Sequence, residues 1–176
     1  MSTFIPDPLH PAVVHFPIVL AMLLPLFALG ALWTIRRGAR PLRAWGLTTV
    51  VAAALTLSSW LAVETGEMQE DKVESVVPKT AFEAHEEAAE AFLYFAGGVL
   101  VIALVGLARG RIGQAARLVG TAGALGLVVA GWRVGHSGGE LVYRHGAASA
   151  YTQPGAAGTA ARPAAAAAVA PGGETD

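Results

Sequence analysis

Four stretches without a formal charge divide the chain: residues 13–33, 45–63, 91–108 and 118–132. A helix that crosses a bilayer needs about 20 mostly apolar residues. The first three meet that length nearly or fully. The fourth is shorter, but Arg117 and Arg133 at its ends can snorkel and let it extend to about Gly135. The pattern predicts an all-α membrane protein, a four-transmembrane-helix bundle with spans at about 12–34, 44–64, 84–108 and 117–135. These form one domain over 1–150, followed by an Ala/Pro/Gly-rich tail, 151–176, with no packing pattern and hence read as disordered.

Proline and glycine refine this. Pro11 suits a first helical turn, where its missing N–H costs nothing. Pro17 and Pro25 interrupt the opening helix and free the carbonyls of Val13 and Ala21, which requires neighbours inside a bundle. The fourth span is rich in small residues, with Ala122, Gly126 and Ala130 at four-residue spacing. That is close-approach packing, within the chain or between protomers of a homo-oligomer. The paired glycines Gly138 and Gly139 are expected to end this helix in positive-φ geometry and return the chain over the mouth of the bundle.

Composition agrees with a lipid environment. The chain of 176 residues is 54% hydrophobic and 14% charged, against roughly 25% charged in ordinary soluble domains. The net charge of −1 conceals an asymmetry. Arg36, Arg37, Arg40 and Arg43 lie between the first two spans, and Arg109, Arg111 and Arg117 between the last two. The connection between the second and third spans is acidic, running from Glu64 to Glu90. The positive-inside rule puts the arginine loops in the cytoplasm of a bacterial inner membrane, with both termini and the acidic connection in the periplasm. The first span lacks the basic n-region of a signal peptide and is expected to be retained. No basic face for nucleic acid is present, and no Cys for disulfides, thiolate ligands or covalent haem.

All five histidines, His10, His15, His85, His136 and His145, fall beside the span ends on the expected outer side. His15 lies about one turn into the first helix, and an ionisable residue there is costly and usually functional; the bland alternative is a bond to a freed carbonyl near Pro17. On a helix starting near Lys79, Glu83, Glu86, Glu87 and Glu90 share a solvated face, and His85 points away with Ala81, Ala88, Ala89 and Phe92. It reads as a ligand, or as a buried imidazole held by a hydroxyl such as Ser58 or Ser59. His136 reads equally as a ligand or a helix C-cap. His10 and His145 look peripheral.

Two motifs carry a resemblance. Leu9-His10-Pro11-Ala12-Val13-Val14-His15-Phe16-Pro17-Ile18 and Gly135-His136-Ser137-Gly138-Gly139-Glu140-Leu141-Val142-Tyr143-Arg144-His145-Gly146 resemble the signatures of a bacterial inner-membrane family, domain of unknown function 2231. The resemblance spans roughly 8–150 and matches His15, His136 and Gly139 directly. It places His85 at the start of the third span and implies an acidic residue ending the second, a place for Glu64 or Glu67. Similar segments joined to c-type cytochrome domains imply redox surroundings.

Three functions follow as expectations. The foremost is a non-covalent haem b held by two of His15, His85 and His136, exchanging electrons with a periplasmic carrier or a quinone. The second is a zinc, copper or iron ion held by His15, His85, His136 and Glu64 or Glu67, for binding or transport. The third is a structural or assembly subunit without cofactor. With neither G-x-S-x-G nor H-E-x-x-H, the chain reads as a binding protein rather than an enzyme on its own. Since the arginine side has no histidine, any site is one-sided.

Overall fold

The computed structural model describes residues 8–151. The tail beyond Tyr151 lies outside the described residues. Helices α1 (His10–Val13), α2 (His15–Arg36), α3 (Pro41–Glu67), α4 (Glu70–Glu74), α5 (Lys79–Val105) and α6 (Gly110–Tyr143) lead to a 3-10 turn over Ala147–Tyr151. Four helical stretches are long and apolar enough to cross a membrane: His10–Arg36, Pro41–Glu67, Lys79–Val105 and Gly110–Tyr143. Around the bundle α2 packs on α3, α3 on α5, α5 on α6 and α6 on α2.

Each boundary has a local cause. Pro17 cannot donate a backbone proton to the Val13 carbonyl, and the helix breaks at Val14, between α1 and α2. Pro11 occupies the first turn of α1, and Pro41 that of α3. After α2, Gly38 turns left-handed at φ +97°, and the Gly38 and Ala39 amides donate to the Ile35 and Thr34 carbonyls.

The core holds Leu24 of α2, Leu55 of α3, Phe92 and Val99 of α5, and Leu127 of α6. Large apolar side chains elsewhere face outward, among them Phe16, Met22, Leu26, Trp60 and Trp132. So much exposed apolar surface on each of the four long stretches is what a bilayer covers. At the arginine end, Trp45 Nε1 donates to the Ala103 carbonyl at 2.9 Å, and Arg117 Nη1 donates to the Gly106 carbonyl at 2.6 Å. These two side chains satisfy backbone groups at the end of α5.

One sequence reading is corrected. The fourth helix does not end at the paired glycines: α6 runs on to Tyr143. Positive φ is confined, among the described residues, to Gly38, Gly110 and Gly146. Of the two uses expected for the small residues of α6, packing within the chain is seen at three glycines. A Cβ on Gly123 would come within 2.8 Å of Val99, on Gly126 within 2.9 Å of Phe95, and on Gly131 within 3.4 Å of Phe92, all on α5.

Candidate functional site

The end of the bundle opposite Trp45 and Arg117 gathers both ends of the described chain. Val77, Leu141 and Ala147 form a small apolar cluster there, and the Tyr151 hydroxyl donates to Gln69 Oε1 at 2.7 Å. Beneath this cap lies a cavity of about 690 Å³, within the range of cofactor and small-molecule sites. Its walls come from α1, α2, α3, α5 and α6, and are mostly apolar, with Pro17, Ala62, Phe92 and Val134 among them.

Two imidazoles line it, His10 and His85. His10 enters because α1 packs against α3, on the same helical face as Val14 and Pro17, which also line the cavity. Its Nδ1 lies 2.9 Å from the Ala62 carbonyl and 3.4 Å from Thr65 Oγ1. A carbonyl only accepts, so Nδ1 carries the proton and Nε2 of the neutral ring keeps its lone pair.

His85 is also held through Nδ1, which lies 2.9 Å from Ser137 Oγ. The Ser137 oxygen lies 3.0 Å from the Val134 carbonyl of its own helix as well, so its one proton has two acceptors in reach, and the contact ties the ring to α6 with either ring nitrogen protonated. Each ring also rests on a glycine. A Cβ on Gly66 would lie 3.3 Å from His10 Cε1, and one on Gly138 would lie 3.0 Å from His85 Cε1. Both distances are tight, so the absence of a side chain at these glycines makes room for the rings.

The other expected ligands are not brought together with His85. His15 is exposed, and its Nδ1 donates to the Pro11 carbonyl at 2.7 Å. His136 is also exposed, stacked on Trp132 with ring centroids 5.3 Å apart and Nε2 4.0 Å from Glu140 Oε1. Both lie outside the cavity lining. Glu64 is exposed and likewise outside the lining, whereas Glu67 borders it. Glu86, assigned to the solvated face, also borders the cavity and is half-buried. The hydroxyl beside His85 is that of Ser137 and not the expected Ser58 or Ser59, each of which donates to the Leu55 carbonyl of its own helix. Among the described residues no group of three or more His, Cys, Asp or Glu is arranged to hold a metal ion.

His10, Gly66 and Ser137 were therefore undervalued. His10 and Ser137 both fall within the two motifs, which was the available signal. Gly66 gave none, since its role appears only when α1 lies against α3.

The chain matches the family model described as "Predicted membrane protein (DUF2231)" over residues 6–150. No curated protein and no solved structure matches the chain significantly.

Proposed function

The chain belongs to the DUF2231 family of predicted membrane proteins, and we propose that it is a binding protein of the bacterial inner membrane whose periplasmic-side cavity takes up a flat, uncharged, largely apolar molecule between His10 and His85. The observation that carries this reading is the pair of imidazoles in one apolar cavity, each anchored through Nδ1. The arginines of the loops at the opposite end support the periplasmic side for the cavity.

Charge is what weighs between ligands. Two imidazole Nε2 atoms suit haem iron, the foremost expectation from the sequence. A haem also brings two propionates. The described residues lining the cavity include Glu67 and Glu86 and no Lys or Arg, so those carboxylates would gain no partner and meet like charge. An uncharged ring avoids that cost. A metal ion is less favoured because, among the described residues, the carboxylates and imidazoles are not grouped as a ligand set of three or more.

The test is to purify the full chain in mild detergent, extract it with organic solvent, and identify the bound small molecules by mass spectrometry beside an absorption spectrum. An uncharged aromatic molecule should be retained by the native chain and lost from the His10→Ala, His85→Ala double variant. Equal content in both would contradict the reading, and a Soret band would restore haem.

A further inference from the structure

We infer that the arginine end of the bundle is a docking surface for anionic phospholipid, whose phosphates are taken by Arg37 of α2, Arg43 of α3 and Arg111 of α6. The first argument is charge. Arg36, Arg37, Arg40, Arg43, Arg109 and Arg111 are exposed, and none forms an ion pair among the described residues. The acidic side chains of the described residues lie between Glu64 and Glu90 or at Glu140, toward the other end. Neither α3 nor α6 has an acidic residue in its first turn. The positive charge at this end is therefore uncompensated.

The second argument is direction, which helical phase supplies. Arg43 stands on the same face of α3 as Leu47 and Val50, and Arg111 on the same face of α6 as Leu118 and Leu125. All four of those apolar side chains are exposed on the outer surface of the bundle. Arg37 continues the line of Leu26 and Trp33, both exposed, and its guanidinium lies 4.6 Å over the Trp33 ring. Each of the three arginines thus tops a stripe that faces acyl chains.

The third is what accompanies them. Leu42 and Ile112, next in the chain to Arg43 and Arg111, are 62% and 72% exposed. Large apolar side chains so exposed place these first turns in lipid rather than water. A phospholipid satisfies both groups together, with an acyl chain along the apolar residue and a phosphate on the arginine. An acidic protein would match the charge and leave the apolar stripes uncovered. Phosphatidylethanolamine also carries a phosphate, but uncompensated arginines repel its ammonium. Phosphatidylglycerol brings the phosphate alone.

The experiment titrates the full chain in mild detergent with dioleoylphosphatidylglycerol, and separately with dioleoylphosphatidylethanolamine, counting bound lipid by native mass spectrometry. Phosphatidylglycerol should bind with a dissociation constant lower by roughly tenfold or more, since each arginine near a lipid surface contributes roughly fivefold. The Arg43→Gln, Arg111→Gln double variant should lose most of that preference. The Arg40→Gln, Arg109→Gln double variant removes equal charge from the extended residues just before the same two helices, and should keep most of it. Both should melt like the native chain without lipid, because none of these four side chains has an ion pair or side-chain hydrogen bond among the described residues. Equal affinity of the native chain for the two lipids would overturn the inference. Equal loss in the two double variants would overturn it as well, because charge would then act without regard to direction.

Discussion

His85 Nδ1 and Ser137 Oγ stand 2.9 Å apart across the interface of α5 and α6, and the serine oxygen also lies 3.0 Å from the Val134 carbonyl. One hydroxyl thus ties the imidazole to α6. Ser137→Ala removes that partner and leaves a half-buried ring nitrogen without its hydrogen bond, at a cost of about 1–3 kcal/mol. The expected result is a lower melting temperature together with a changed His85 signal in nitrogen-15 NMR. Ser137→Thr should restore both, because the hydroxyl returns. An unchanged His85 signal in the alanine variant would show that Ser137 does not hold the ring.

The glycines beneath the two rings predict a graded pair. A new Cβ at Gly66 leaves 3.3 Å to His10, and one at Gly138 leaves 3.0 Å to His85. Gly138→Ala should therefore weaken ligand binding more than Gly66→Ala. Calorimetric titration of the two variants checks the order.

Glycine in α6 also makes a packing prediction free of any ligand. Gly123→Ala would put its Cβ 2.8 Å from Val99 Cγ2, in the buried core. Overpacking of this kind costs roughly 1–3 kcal/mol. Gly30→Ala meets nothing within 4 Å and should be neutral or stabilising by up to about 1 kcal/mol through helix propensity. Denaturation of the two variants in detergent should move in opposite directions, or Gly30 should not move at all.

At the far end, Arg117 is 5% exposed and donates to the Gly106 and Ala108 carbonyls. Arg117→Met keeps the apolar stem and loses the charge-assisted bonds, so stability should fall by about 1.5–3 kcal/mol. Binding at the histidine end should be unaffected, since no residue of that end touches this contact. A loss of binding with intact folding would mean that the two ends are coupled.

The fold was legible to the extent that a membrane dictates it. Continuous apolar runs and flanking arginines announce four helices because a bilayer tolerates little else. Element ends were harder. Gly138 and Gly139 looked like a stop, but in α6 they are helical positions, and Gly138 makes room for the His85 ring. The site was legible by end and not by direction. A membrane helix is apolar on every side, so periodicity does not say whether His15 faces lipid or core. His10 was hidden for a related reason: it lies seven residues before Pro17, on the same helical face, and nothing in the sequence marks that face as the cavity side rather than the lipid side. His85 was the exception, because its helix has a true polar face of glutamates to point away from. Even there the phase was imperfect, since Glu86 borders the cavity as well.

The central claim is that His10 and His85 form the binding site and that His15 and His136 do not. It is tested most directly by measuring how much of the co-purifying small molecule four single alanine variants of the full chain retain, compared with the native chain. His10→Ala and His85→Ala should each weaken binding roughly tenfold or more, while His15→Ala and His136→Ala bind as the native chain does. Loss of binding in His15→Ala or His136→Ala, with His10→Ala left unchanged, would contradict the account.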